Sequence, residues 1–370
     1  MIPVFQPHLS LSNKFQVLKT LFNNNISGTS PIVSQFEDEL AKTFNRKYAV
    51  AVSNGSVALD LALENLGLSK NDEVVLPSFT IISCLSSVLR TGAKPVFCDV
   101  DEDSWNMTLE NVEKAITSKT KVVMMVHLYG LSGEAEKIKD LCKQKNIFLI
   151  EDSAEAHGQF ENNIPCGSFG DISTLSFYAN KHITTGEGGA LLTDSKDFYI
   201  KTLKMRNLDF ENKRRFVHEN LYWNYRLGGL QAALGLSQIK SLSKTIEEKK
   251  IQGNYYQDLF TSYTDKIKTP PRVWNNVKNH YWVFGILLLK PDVRDKLINE
   301  LRDKGIETRP FFWPLHLQPA LPDEFKDNKL VLPISENLGK NGLYIPMGRH
   351  VRRKDQRDIV KEIASLLDKL

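Results

Sequence analysis

The sequence predicts an α/β fold, with a large lobe built on a mixed, mostly parallel sheet and a smaller C-terminal α+β lobe. Three observations predict it. The chain has 370 residues, beyond the ~250–300 at which a single hydrophobic core stops growing. From Tyr48 onward, short β-rich runs alternate with segments of helical period, the pattern of βαβ units. Most of those runs are apolar nearly throughout, as strands covered on both faces must be.

Taken in order, Tyr48–Ser53, Glu73–Pro77, Pro95–Val100, Lys121–His127 and Ile147–Asp152 read as strands. Ser56–Leu66, Leu109–Ser118 and Glu134–Lys145 read as the helices between them. Asp171–Phe177 and Gly189–Thr193 follow as two further strands. A helical pattern then runs from about Gly228 towards Phe260, with Leu230, Leu234, Ile239 and Leu242 near one face. Beyond Pro270-Pro271 come a strand (Tyr281–Leu289), a helix (Asp292–Lys304) and a Pro-rich stretch ending near Pro319. The change of pattern predicts a large domain over 1–245 and a small one over 246–370.

Composition narrows the function. Hydrophobic residues make up 41% and charged residues 25%, the balance of a globular protein rather than a disordered one. Lys and Arg number 48 against 44 Asp and Glu, a net charge of +4, too mild to make nucleic acid the main partner. No apolar run approaches the roughly 20 residues of a membrane helix. The N-terminal Met1-Ile2-Pro3-Val4-Phe5-Gln6-Pro7 has no signal-peptide character, so a cytoplasmic location is expected. Cys84, Cys98, Cys142 and Cys166 form no CxxC pair, and no metal site is expected.

In open α/β sheets ligands bind beyond the carboxyl ends of the strands, and three segments put chemistry there. Ser53-Asn54-Gly55-Ser56 ends a strand and opens a helix; Gly55 admits close approach of a ligand and Ser56 offers a hydroxyl at the positive end of the helix dipole. The same residues also read as a plain helix cap. Asp152 closes the strongly apolar strand before Ser153-Ala154-Glu155-Ala156-His157-Gly158. It reads either as an anion that keeps a pyridine nitrogen protonated or as a carboxylate capping the next turn. Lys181 stands in Ser176-Phe177-Tyr178-Ala179-Asn180-Lys181-His182, ahead of the glycine-rich Gly186-Glu187-Gly188-Gly189. It is either a solvated surface charge or a partly desolvated amine able to form a Schiff base. A phosphate seat, a pyridinium partner and a lysine, in this order on one sheet, are together what pyridoxal phosphate requires.

These motifs resemble those of the DegT/DnrJ/EryC1/StrS family of sugar-nucleotide aminotransferases, and the likeness covers almost the whole chain. The resemblance implies the aspartate-aminotransferase-like fold (fold type I of pyridoxal phosphate enzymes). It implies that Asp152 pairs with the pyridine nitrogen, that Lys181 carries the cofactor, and that Gly55, Ser56 and Ser176 hold its phosphate. Glu155 would lie beside the ring. Asn224, in Trp223-Asn224-Tyr225-Arg226, matches the residue that reaches the phosphate of a neighbouring subunit, which implies a homodimer with shared active sites.

Within the family, Ala154–Gly158, Ser176–Lys181, Asn224-Tyr225-Arg226 and Thr308-Arg309-Pro310-Phe311-Phe312 with Leu315-His316 most resemble one branch. Its members aminate GDP-4-keto-6-deoxymannose at C4 with L-glutamate as donor, giving GDP-perosamine. The partners so implied are L-glutamate and a nucleotide-linked keto-sugar, with pyridoxamine phosphate as the cofactor's second form. Amino sugars of this kind feed surface polysaccharides such as the O-antigen of lipopolysaccharide. Arg226 and Arg309 are candidates for binding a carboxylate or diphosphate, or for structural ion pairs. His316 is expected to reach the sugar and His127 to be structural. Many members have an aromatic that stacks on the cofactor where this chain has Ile81, so an aliphatic contact is expected there.

A related branch, the 3-dehydratases, carries histidine at the lysine position. Alignment on Ser176-Phe177-Tyr178 puts Lys181 there, not His182, which favours transamination. Acceptors carrying dTDP or UDP remain open. A regulator without catalysis would not need both Lys181 and Asp152, and no GxGxxG follows the early strands as a nicotinamide dehydrogenase would require.

Overall fold

The computed structural model describes residues 1–210 and 214–370. Two helices, α1 (Leu11–Phe22) and α2 (Pro31–Thr43), precede the alternating region. That region runs β1 (Tyr48–Val52), α3 (Gly55–Asn65), β2 (Glu73–Pro77), α4 (Ile82–Thr91), β3 (Lys94–Cys98), α5 (Leu109–Ala115), β4 (Thr120–Val126), α6 (Ala135–Lys145) and β5 (Phe148–Asp152). A small hairpin, β6 (Phe160–Glu161) and β7 (Ile164–Pro165), leads to β8 (Ile172–Ser176), β9 (Gly189–Thr193) and α7 (Lys196–Arg206).

β1 to β5, β8 and β9 make a seven-stranded sheet in the order β1-β9-β8-β5-β4-β2-β3. β9 runs antiparallel to both β1 and β8, while the pairs from β8 out to β3 are parallel. The sheet is therefore mixed and mostly parallel, as its sequence predicts. The apolar runs follow from packing on both faces. Val74, Val122 and Ile150 enter a core shared with α3 and α4, and their neighbours Val75, Val123 and Leu149 enter a second core with α5 and α6. Successive residues point to opposite faces of a strand, so both must be apolar.

The single helical pattern expected from Gly228 to Phe260 is two helices, α8 (Gly229–Ile239) and α9 (Leu242–Phe260), broken at Lys240-Ser241. The division expected near residue 245 falls inside α9. Past it come β10 (Ile267–Lys268), the hairpin β11 (Val273–Trp274) and β12 (Val277–Lys278), then β13 (Phe284–Leu288), α10 (Arg294–Asp303), β14 (Arg309–Pro310), α11 (Pro333–Asn341), β15 (Gly342–Ile345) and α12 (Arg353–Leu367). A second sheet has the order β10-β13-β15-β14. It packs Phe284, Ile286 and Leu343 against Tyr256 of α9, Leu297 of α10 and Ile359 of α12. The first residues join this layer: Ile2 bridges to Ile306, and the Val4 N–H donates to Glu307 at 2.9 Å. β13 begins three residues later than the expected Tyr281, because Tyr281 has φ of 54° and turns the chain.

Between the two sheets lies an aromatic cluster that includes Phe79, Trp105, Tyr129, Trp282 and Phe311. It joins the second sheet to the segments that follow β2, β3 and β4. Among the described residues, no helix is long and apolar enough to cross a membrane.

Candidate active site

The carboxyl ends of β1, β5 and β8 share one edge of the sheet, and the three predicted segments meet there. Gly55, Ser56, Asp152, Glu155, Ser176 and Lys181 line one cavity of about 290 Å³. Asn54, Thr80, Ile81, Ser83, Trp282, Phe312 and Tyr344 are also in its wall.

At the first segment the helix cap is Asn54, whose side chain accepts the Val57 N–H at 2.9 Å. Ser56 is thus not needed as a cap, and its Oγ lies 2.7 Å from the Ser83 Oγ of α4. The backbone is drawn tight here. A Cβ on Gly55 would come within 2.9 Å of the Ser176 Cβ, and one on Gly189 within 2.5 Å of the Asn54 carbonyl carbon. Bare backbone, three hydroxyls and a helix N-terminus therefore converge on one end of the cavity, a seat for a phosphate.

Neighbouring residues of β5 have opposite tasks because strand side chains alternate. Glu151 turns away from the cavity into a fully buried nest. It accepts from Gly167 N at 2.6 Å, Phe169 N at 2.8 Å, Gly170 N at 3.0 Å and Ser173 Oγ at 2.8 Å. His127 Nε2 lies 2.8 Å from its Oε1, so His127 is a structural histidine here. Burial works against the Glu151 charge, but His127 and the backbone amides hold its carboxyl down at about 2. His127, Glu151 and Cys166 sit close enough to be considered as metal ligands. The donors already spent on Glu151 leave its oxygens no room for an ion.

Asp152 turns into the cavity. Its Oδ1 accepts Ala154 N at 3.0 Å and Thr174 Oγ1 at 3.3 Å, and the Cys84 thiol donates to Oδ2 at 3.6 Å. Burial pushes its carboxyl up, against those hydrogen bonds and the Lys181 charge. Across the cavity, Lys181 Nζ lies 3.4 Å from Glu155 Oε1 and 3.7 Å from the centroid of the Trp282 ring. The lysine and glutamate side chains are 9% and 8% exposed, so the amine is no surface charge. Burial lowers the Lys181 amine, opposed by Glu155 and Asp152, and raises Glu155 to about 7. The two shifts run in opposite directions from one cause: burial disfavours the charged form of each partner, so the contact is weaker than a fixed ion pair. Glu155 Oε2 in turn accepts the Tyr129 N–H at 2.8 Å, and Tyr129 adopts φ of 54° to present it.

Four predicted residues do not line this cavity. Asn224 and Arg226 lie on a stretch that runs beside β1: Arg226 bridges to Val52, and Ser53 N donates to Tyr225 O at 2.9 Å. The Arg226 guanidinium binds Asn207 Oδ1. Arg309 stands opposite Tyr344 in the second sheet and lies over the Phe5 ring, one layer behind the wall. His316 is buried, with Nδ1 2.6 Å from Ser78 Oγ, a contact that joins the second lobe to the end of β2; its Nε2 lies 3.5 Å from Glu336 without a hydrogen bond. His182 is buried on the other side of Lys181 and lines a different cavity.

Trp282, Tyr129, Cys84, Thr174 and Ser83 were not singled out by the sequence. Thr174 has a signal, since it pairs in register with Asp152 on the adjoining strand. The others come from segments whose residues read as ordinary core or turn. The donor set fits pyridoxal phosphate: a cradle a Cβ would fill, an anion on one wall and a desolvated amine on another. Ile81, 38% exposed, supplies the aliphatic wall expected in place of an aromatic one.

Comparison with known proteins gives the same direction. A model of the DegT/DnrJ/EryC1/StrS aminotransferase family matches residues 11–364. The chain is 39% identical to GDP-perosamine synthase of Escherichia coli O157:H7 over 345 residues, 93% of each chain. It is 34% identical to GDP-perosamine synthase of Vibrio cholerae over 348 residues, 94% of each. Among solved structures, an aminotransferase from Psychrobacter cryohalolentis superposes with a TM-score of 0.91 at 27% identity, over 99% of this chain and 98% of that one.

Proposed function

The chain belongs to the DegT/DnrJ/EryC1/StrS aminotransferase family, and on that premise we propose that it moves the amino group of L-glutamate to GDP-4-keto-6-deoxymannose, giving GDP-perosamine. The observation that carries transamination is the buried Lys181 amine facing Asp152 across a cavity that no histidine lines among the described residues. The nucleotide and sugar rest on the identity to the two perosamine synthases along nearly their full length.

Pyridoxal phosphate supplies, when bound, an electron sink for the reacting carbon and a carbonyl that carries the amino group between the two substrates. The chain supplies the rest. Lys181 holds the cofactor, and once displaced its Nζ takes the proton from the substrate carbon and returns it, as base and then acid. Burial lowers that amine from its ordinary value, which favours its action as a base. Asp152 sets an anion against the pyridine nitrogen, and Thr174, Cys84 and Ala154 orient it. Gly55, Ser56 and Ser176, with Ser83, receive the phosphate, and Glu155 lies beside the ring.

Asn224, Arg226, Arg309 and His316 stay away from the cavity of their own chain, and Leu11, Phe15, Phe22, Leu221 and Trp223 are exposed. Both facts support a homodimer in which Asn224 reaches the cofactor phosphate of a second copy and Arg226 serves its substrate anions. Arg309, opposite Tyr344, and His316, bonded to Ser78, would act on the sugar through the segments they hold in place. A cytoplasmic place in surface-polysaccharide synthesis follows from the substrate proposed.

Purified protein supplied with pyridoxal phosphate should show the visible absorbance band of lysine-bound cofactor, and glutamate should bleach it. Candidate keto-sugar nucleotides are then titrated in, and GDP-4-keto-6-deoxymannose should restore the band. Restoration by a dTDP or UDP sugar alone would overturn the acceptor, and absence of any band would overturn the role of Lys181.

A further inference from the structure

The Lys181 amine has two neighbours of opposite character. Glu155 can take its proton; the face of Trp282 attracts its positive charge and can take nothing. We propose that Trp282 is a positioning residue for Lys181, a charge-accepting shelf that holds the amine over the cavity whenever it is not bonded to the cofactor. The inference rests on the function proposed above and goes beyond it, to the residue that sets where the free amine waits.

Geometry makes the shelf rigid. Trp282 is buried, and each of its polar atoms is held by a different segment. Its Nε1–H donates to the Asn180 carbonyl at 3.0 Å, beside the lysine itself. Its backbone N–H donates to Tyr129 O at 3.1 Å, and Lys249 Nζ donates to its carbonyl at 3.0 Å. Its ring stacks on Tyr129 with centroids 6.2 Å apart and planes 29° from parallel. Tyr129 also fixes Glu155 through its N–H, so both neighbours of the amine are set from one residue.

A desolvated cation over an indole is stabilised in its charged form. The other groups facing this amine are Glu155 and Asp152, which favour its charge, and the buried His157 and His182 behind it, which do not. Removing the indole leaves those groups in place and lowers the pH at which the amine loses its proton.

The test is the rate at which cofactor-free protein takes up pyridoxal phosphate as a function of pH, since only the unprotonated amine attacks. Trp282→Leu should move the midpoint down by about one pH unit, and Trp282→Phe, which keeps an aromatic face, by less than half of that. Loss of stability alone would reduce yield without moving the midpoint. An unchanged midpoint in Trp282→Leu, or an equal shift in both variants, would overturn the shelf. If Trp282→Leu does not fold, Trp282→Met replaces it with the same two outcomes. Wild-type protein that takes up no cofactor would overturn the proposed function as well, whereas normal wild-type uptake with an unmoved variant overturns the shelf alone.

Discussion

Glu155 ties the Lys181 amine to the chain that leaves β4, with one oxygen 3.4 Å from Nζ and the other accepting the Tyr129 N–H at 2.8 Å. A carboxyl so enclosed is held at about 7, first by burial and against the lysine charge. The folded, cofactor-free protein therefore keeps a proton on Glu155 that the unfolded chain has lost above about 4.5. Stability contributed by that proton is complete below the unfolded value and disappears as pH rises through the folded one.

Urea unfolding of the cofactor-free protein should show this as a loss of stability between pH 4.5 and about 7. Glu155→Gln, which cannot titrate, should flatten the curve in that window. A slope unchanged by the substitution would mean that Glu155 is ionised throughout.

Glu151 should behave in the opposite sense. Its carboxyl is held down to about 2 by His127 and by the amides of Gly167 and Gly170, despite burial. The stability it contributes is present above the ordinary carboxylate range and is lost as pH falls towards that value. Glu151→Gln should cost about 3 kcal/mol at neutral pH, because charged acceptors for several buried donors disappear at once. Chemical denaturation at pH 7 checks the magnitude, and an acid titration checks the window.

Asp152→Asn should leave the fold intact and still admit the cofactor, since an amide fills the same space. Transamination should fall by on the order of 100-fold or more, because the anion that supports the pyridinium is gone. Single-turnover bleaching by glutamate measures this without the second substrate.

The sequence made these two adjacent carboxylates visible only in part. Asp152 is legible because it ends an apolar strand at the edge where ligands bind, and Lys181 because it stands among small and apolar residues before a glycine-rich run. Glu151, one residue earlier, carries no sign of its burial nest, which is built by amides of residues 167–170 and by His127. The alternating strands were legible because both faces of the sheet are covered. α4 was not: Ser83, Ser86 and Ser87 give it weak helical preference, and packing on α3 and β3 overrides that. The break at Lys240-Ser241 leaves the apolar period of α8 and α9 nearly in step, so sequence alone joins them. Trp282 reads as a strand-flanking core aromatic, and only its approach to a lysine some hundred positions earlier reveals another role.

Gly189→Ala tests the phosphate seat. The new methyl group would press on the Asn54 carbonyl carbon at 2.5 Å and on the Gly55 nitrogen at 2.7 Å, displacing the turn that opens α3. Cofactor affinity should weaken about tenfold or more, measured by equilibrium dialysis, with the catalytic lysine untouched.

The wall around Lys181 also has a history in time. Gly55, Asp152 and the lysine leave the ribosome early, whereas Trp282, Phe312 and Tyr344 follow late in synthesis. At ~5–20 residues per second the delay is on the order of ten seconds. Through that interval the nascent chain presents its reactive amine with one side of the chamber missing and water free to enter. The chamber is therefore complete only once the second lobe has been made, and a message truncated before the last strands would yield a lysine without Trp282, Phe312 and Tyr344 beside it.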